Sequence, residues 1–182
     1  MSSQPLASSR ASSGPAPDLD ALIVGAGFSG LYMLYRMREV LGLNARVFEA
    51  GDGVGGTWYW NRYPGARCDS ESFYYSFTFS PELDQEWEWT RKYPEQPEIL
   101  RYLNYVADRF ELKRDIQLST RVIEASFDED NDCWRVATDD GKSITARYLI
   151  SAVGCLSSAN VPEIKGIDDF KGQGYHTGAG PA

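Results

Sequence analysis

The spacing of apolar and polar positions changes character several times along the chain, and each change marks an element. "ALIVG" (residues 21–25) is a short apolar run that ends in glycine, the pattern of a buried strand. Leu31, Leu34, Tyr35 and Leu41 then fall on one face of a helix, with Gly42 and Asn44 as stop signals. "ARVFEA" (45–50) reads as a second strand. Strand, helix and strand in about thirty residues form a βαβ unit, whose two strands are expected to be parallel. Residues 71–96 show no regular period and are rich in rings. From Pro97, which suits a first helical position, Ile99, Leu103, Val106 and Phe110 return to helical spacing. "RVIEASFDE" and "CWRVATD" alternate around the acidic turn "DEDND", and Asp140-Gly141 turns the chain into "SITARYLISAVG". The predicted class is therefore α/β and Rossmann-like: a parallel βαβ unit followed by an antiparallel β-meander that returns to a buried strand.

Composition narrows the function. The chain has 182 residues, 42% of them hydrophobic and 13% aromatic, enough for one domain with a core or for part of a larger one. No apolar run approaches the roughly 18 residues that a membrane span needs, so none is expected. A formal charge of -8 argues against non-specific binding to nucleic acid or anionic lipid. It leaves room for a phosphate-bearing cofactor, because backbone N–H groups bind phosphate without net positive charge. Cys68, Cys133 and Cys155 are far apart and His176 is the single histidine, so neither a disulfide framework nor a metal site is expected, and a reducing, cytoplasmic setting fits. Residues 1–18, rich in Ser, Ala and Pro, read as a disordered tail ahead of a folded domain over 19–156.

"GAGFSG" sets Gly25, Gly27 and Gly30 in the spacing GxGxxG, between a strand and a helix. The first glycine permits the tight turn, the second a close approach of pyrophosphate, and the third close packing of helix on strand. The helix N-terminus adds free N–H groups and a partial positive charge. Glu49 lies 19 residues beyond Gly30, at the end of the next strand, where an acid hydrogen-bonds the ribose hydroxyls of an adenosine. A carboxylate there repels a 2′-phosphate, so the site suits FAD or NAD and disfavours NADP. The competing reading is a glycine-rich turn with a surface glutamate. A second glycine run, "GDGVGG" (51–56), follows the acid at once, which favours a flavin over a simple dehydrogenase.

Next comes "GTWYWNRYPGARCD" (56–69), with two tryptophans, two tyrosines, two arginines and a Pro-Gly turn. Gly55, Gly56, Trp58, Tyr63, Pro64, Gly65 and Asp69 meet the pattern [A/G]GxWxxxx[F/Y]P[G/M]xxxD in full, and on these residues the chain resembles the Baeyer–Villiger monooxygenases, a class B flavoprotein family. The resemblance runs from about Asp18 to His176. It implies an FAD-binding part of an enzyme that uses NADPH and O₂ to convert ketones to esters or lactones through a peroxyflavin. It implies that Phe28, Ser29 and the glycine loop hold the pyrophosphate and Glu49 the ribose. Thr57, Trp58, Tyr59 and Trp60 would lie along FAD, Tyr75 and Asp69 near its ring system, and Val122 at the adenine. Arg67, Cys68 and Asp69 would line the approach of NADPH, and Asp69 would be the catalytic acid, orienting an arginine. For the residues alone, an aromatic mini-core around a Pro-Gly turn, a loop-capping Asp69 and an inert Cys68 thiol stand as alternatives.

The family's second signature, FxGxxxHxxxW[P/D], is met at Phe170, Gly172, His176 and Pro181, but Gly180 stands where tryptophan is expected. Residues 157–182 are accordingly expected to be a linker toward an NADPH-binding domain that is not in the sequence, making this the incomplete first segment of a protein with two dinucleotide-binding domains. The arginine partner of Asp69 and the main NADPH site would lie in that absent part. His176 is either an interdomain hinge residue or a solvated tail residue. Cys155 is not the side chain expected at a flavin contact. The alternatives to a monooxygenase part are a non-catalytic FAD-binding fragment and a NAD-binding module of a simple dehydrogenase. A fragment would expose an apolar face and self-associate through it.

Overall fold

The computed structural model describes residues 16–179, so most of the expected tail, together with Gly180 and Pro181, lies outside the described residues. Six strands form one sheet in the order β3-β2-β1-β6-β5-β4. β1 (Leu19–Val24) and β2 (Ala45–Phe48) pair in parallel, with Ala21 opposite Ala45 and Val24 opposite Phe48. β1 is buried almost throughout, as a strand covered on both faces must be: Ala21, Leu22 and Ile23 are fully enclosed. β6 (Ser143–Ser151) lies parallel to β1 on its other side, Ala21 opposite Tyr148 and Val24 opposite Ser151. The parallel βαβ unit and the meander are both present, as the periodicity predicts.

β6 joins the two halves. Its first residues pair antiparallel with β5 (Cys133–Thr138), and its later residues pair with β1. β5 in turn pairs with β4 (Val122–Asp128), which carries a bulge between Val122 and Glu124. The meander packs against one face of the parallel strands, where Leu19, Leu22, Phe48, Val136 and Ala146 form a small buried cluster. Its turns are fixed locally. The Asp128 carboxylate accepts from the Asn131 side-chain amide, from Arg135 and from the Asn131 N–H, bonds that hold its pKa down to about 2. The Asp140-Gly141 turn is a three-residue loop with Gly141 at φ +81°, in place of the two-residue turn that Asp-Gly suggests.

The opposite face carries the helices. α1 (Phe28–Tyr35) continues as a π-helical turn over Arg36–Val40, closed by Leu41 N–H donating to the Arg36 carbonyl at 3.1 Å. Arg38 leaves that turn to donate to the carbonyls of Phe110 (2.6 Å) and Glu111 (3.0 Å) and to Asp115 (2.8 Å). This ties α1 to the end of α4 (Gln96–Arg109) and to β3 (Ile116–Gln117), a two-residue edge strand too short to be seen in the pattern. Residues 71–96 hold two features that the pattern does not predict. One is α3 (Pro81–Glu86), opened by Ser80, whose hydroxyl accepts from Leu83 N–H at 3.3 Å. The other is an aromatic layer between α1 and α4: Phe28 meets Tyr75 and Phe77 with centroids 4.9 Å apart, and Tyr102 meets Trp89 at the same separation. Tyr102 also accepts from Phe77 N–H at 2.8 Å, and its burial pushes the hydroxyl up to about 12. Among the described residues, no helix is long and apolar enough to cross a membrane.

Candidate functional site

The chain leaves β1 toward α1 and β2 on one side and returns on β6 at the other, so the carboxyl end of β1 is the switch point at which open α/β sheets bind ligands. A cleft of about 410 Å³ lies there. Gly25 and Gly27 form its floor, Glu49, Gly56, Thr57 and Trp60 one side, and Thr120, Arg121 and Val122 another. α1 starts at this floor, and the residue preceding it, Gly27, has no side chain with which to cap the N–H groups of the first turn. Those donors are available to an anion, which fits a pyrophosphate.

The glycines are explained by contact. A Cβ at Gly30 would sit 1.8 Å from the Gly25 carbonyl oxygen, so no side chain can replace it while α1 packs on the strand end. Gly27 and Gly56 touch each other: a Cβ on Gly56 would lie 2.7 Å from Gly27 Cα, and Gly56 has φ +54°. The two glycine runs are thus seated back to back, and a further bond from Gly55 N–H to the Ala26 carbonyl (3.0 Å) holds them.

Glu49 is only 4% exposed, far from a surface glutamate. Its Oε2 accepts from Ala26 N–H (2.7 Å) and its Oε1 from Gly51 N–H (2.8 Å), one donor from each glycine run. Each oxygen keeps a second lone pair, and the residue lines the cleft, so the carboxylate can both brace the loops and accept from a ligand hydroxyl.

The segment 56–69 divides between core and cleft. Trp58 is buried, donates through Nε1 to the Tyr75 hydroxyl (3.0 Å), and offers its carbonyl to the Gln96 side chain. Burial pushes the Tyr75 hydroxyl above its ordinary value, against the Trp58 hydrogen bond. Phe28, Trp58 and Tyr75 therefore form an aromatic wall behind the start of α1 and do not line the cleft. Trp60, two residues on, is 55% exposed at the cleft. Tyr59 turns the other way: its ring covers Gly51 and Gly53, its hydroxyl donates to Asp52, and Arg62 stacks on it at 4.6 Å. So rings, as well as any cofactor, account for the second glycine run.

The remaining candidates lie away from the cleft. Ser29 is exposed on the first turn of α1. Arg67 pairs with Glu95 at 2.9 Å, and Cys68 is a buried free thiol whose Sγ accepts from Ser70 N–H at 3.4 Å. Asp69 is exposed, with no cation bonded to it among the described residues. The structure adds residues that sequence reasoning missed. Ala26 supplies the N–H that Glu49 holds, and Thr120 donates from its backbone to the Glu49 carbonyl at 2.9 Å. Arg121 reaches the cleft while its backbone exchanges bonds with Asp139. Leu156, Ser157 and Gly178 arrive from the exposed stretch after β6. His176 sets that stretch: its Nδ1 accepts from Gly178 N–H and its Nε2 lies against the Asn160 carbonyl, both at 3.1 Å. Only Gly-Ala-Gly in the first loop carried a signal for any of these; the others are brought in by the fold.

Known proteins repeat this arrangement. The sequence profile described as pyridine nucleotide-disulphide oxidoreductase matches residues 22–179. A phenazine N-monooxygenase of Lysobacter antibioticus is 52% identical over 163 residues, covering 90% of this chain and 30% of that protein. A Baeyer-Villiger monooxygenase of Pseudooceanicola batsensis is 49% identical over 164 residues, and again 90% of this chain and 30% of the relative are covered. Among solved structures, an oxidized steroid monooxygenase bound to NADP superposes with a TM-score of 0.79 at 55% identity, over 90% of this chain and 31% of its own. The chain thus spans about 30% of the length of the curated relatives it matches. A match that takes in both glycine runs, the aromatic segment, the meander and the stretch around His176 is a match to the whole folded unit. The chain belongs to the pyridine nucleotide-disulphide oxidoreductase family, and within about 30% of their length it is similar to Baeyer-Villiger and related monooxygenases.

Proposed function

We propose that this chain is the FAD-holding part of an NADPH- and O₂-dependent monooxygenase that inserts oxygen beside a ketone carbonyl. The observation that carries the reading is the junction of the two glycine runs across Gly27 and Gly56, with the buried Glu49 carboxylate bonded to both, at the carboxyl end of β1. A structure of a similar protein is described as a complex with FAD and NADP, at a TM-score of 0.82 and 42% identity. The uncapped first turn of α1 and Gly27 would hold the pyrophosphate, Glu49 a ribose, and Val122 and Arg121 the adenosine end. When bound, FAD supplies the redox chemistry. The chain's own residues bind and orient it: Trp60 shields the cleft from water, and Phe28, Trp58 and Tyr75 stiffen the wall behind. Residues 19–156 are the binding domain in this reading, and 157–182 the linker that leaves it.

Asp69, the candidate catalytic acid, is exposed, and the nearest arginine in sequence, Arg67, is engaged with Glu95. This supports the second reading, that the chain by itself holds cofactor without turning over, the cation for Asp69 and the NADPH site belonging to a longer protein. The ketone is undefined, since similar proteins include an acetone monooxygenase of Gordonia and a cyclohexanone 1,2-monooxygenase of Acinetobacter. Free thiols at Cys68, Cys133 and Cys155 support a cytoplasmic location. Exposed apolar side chains, among them Tyr148, Ile164 and Phe170, support self-association.

The test is reconstitution. The purified chain is incubated with FAD, FMN or riboflavin, freed of excess, and its visible spectrum recorded. FAD bands that co-elute with folded protein, with FMN and riboflavin lost, support a site that grips the adenosine half. A folded chain that retains none of them, or FMN as well as FAD, sinks the reading.

A further inference from the structure

A second cleft, of about 420 Å³, opens on the meander side of the sheet. Arg46 and Phe48 face it from alternate positions along β2 and Asn44 from just before that strand, and Ser143 and Ile144 close it from the start of β6. Its size lies within the usual range for small-molecule sites, and it is as large as the cleft at the glycine loops. Phe48 lines both, so the two clefts meet at one residue, immediately before Glu49.

The charges in this second cleft are unequal. Lys142 is engaged with Asp140 at 2.6 Å. Asp18 accepts from the Thr145 N–H (2.8 Å) and hydroxyl (2.7 Å), bonds that hold its carboxyl below the ordinary value. Arg46 is different: it is solvent-exposed at the cleft, and among the described residues its guanidinium has no ion-pair or hydrogen-bond partner, so it is free to meet a ligand. Gln117 donates one amide N–H to Thr120 (3.0 Å) and keeps its second N–H without a partner among the described residues. Leu19 and Phe48, both buried, provide an apolar floor.

We propose that this cleft binds a small monocarboxylate with a compact apolar body, held at Arg46 and seated on Leu19 and Phe48. The guanidinium fork matches a carboxylate in two parallel bonds. With Asp18 lining the same cleft and Lys142 engaged by Asp140, one guanidinium suits one negative charge better than the two of a phosphate monoester. The apolar floor selects for a ring or branched alkyl group over a bare anion such as sulfate. The proposal stands apart from the FAD reading, since none of its evidence comes from the glycine loops.

Benzoate is the probe, with benzamide as its neutral isostere and sulfate as a bare anion. Amide proton–nitrogen NMR spectra of the full chain are recorded through each titration. Benzoate is expected to give saturable shifts at Arg46, Gln117 and Ser143, and to bind about tenfold more tightly than benzamide, the difference that one charge-assisted contact makes. Arg46→Gln should bring benzoate down to the level of benzamide while the rest of the spectrum stays in place. The idea is overturned by shifts that do not saturate, by equal binding of benzamide, or by sulfate shifting the same amides as strongly. The benzoate–benzamide comparison on the unaltered chain decides the matter even if the variant fails to fold.

Discussion

The two glycine runs of this protein look alike in sequence and are glycine for different physical reasons. In the first, Gly25 and Gly30 are hemmed in by backbone: their missing side chains would collide with the Ala152 and Gly25 carbonyl oxygens at 2.7 and 1.8 Å. In the second, Gly51 and Gly53 face the ring of Tyr59, and Gly55 faces the end of Leu100. Of that run Gly56 meets backbone at Gly27, 2.7 Å away, and Gly55 meets it more loosely, at Tyr59 N, 3.1 Å away. Backbone held in a sheet and a helix cannot give way, whereas a ring or a leucine tip can rotate. The first run is thus fixed by the strand–helix turn itself, and the second is a fitted surface for the aromatic segment that follows it.

Substitutions should separate the two runs by size of effect. Gly30→Ala, with no room at all, is expected to cost at least about 4 kcal/mol and to leave no cooperative unfolding transition by circular dichroism. Gly56→Ala should come next, at about 1–3 kcal/mol for the positive φ alone, with loss of FAD retention if the cleft is the cofactor site; urea unfolding and the visible spectrum read the two effects. Trp58→Phe removes the hydrogen bond to Tyr75 and should cost about 1 kcal/mol, whereas Trp60→Phe should leave urea stability unchanged. Equal effects of these two would erase the division of the aromatic segment into core and cleft. Gly53→Ala, 3.1 Å from the Tyr59 ring, should cost less than about 1 kcal/mol, and less still with Tyr59→Ala present, a coupling that a double-mutant cycle measures.

Acid provides the gentlest probe of the meander turns. Asp128 and Asp140 have pKa values lowered from 3.8 to about 2 by their hydrogen-bonded neighbours. Depressed values mean that their contribution is complete above 3.8 and is lost as pH falls toward about 2. The melting temperature is therefore expected to gain nothing from these groups between pH 7 and 5 and to fall below pH 4, less steeply in Asp128→Asn. A variant that falls as steeply as the parent would remove Asp128 from the account.

Much of the fold was legible in the sequence because its signals are local. A run such as Ala21–Ile23 can only be a buried strand, and Pro97 with Ile99, Leu103 and Val106 announces α4 without reference to anything distant. What escaped was short or non-local. β3 is two residues that become a strand only by pairing with Val47 and Phe48. α3 carried its Ser-Pro start signal within a stretch whose rings masked the period. At the site, Gly25, Gly27, Gly30, Glu49 and Gly56 could be named from spacing, and the structure gathers them. Thr120, Arg121 and Gly178 could not, since they come to the cleft from two parts of the chain remote from the glycine runs.

Which residues must be small, which segment must turn and which family the chain resembles follow from the amino acids alone, because steric exclusion and motif spacing act over a few residues. What each ring and charge does follows from packing. It sent Trp58 into the core and Trp60 to the cleft, buried Glu49 between two loops, and left Arg46 with no partner among the described residues. Those outcomes depend on contacts between elements far apart in the chain, whose geometry is set by the packing of the sheet, α1 and the meander together.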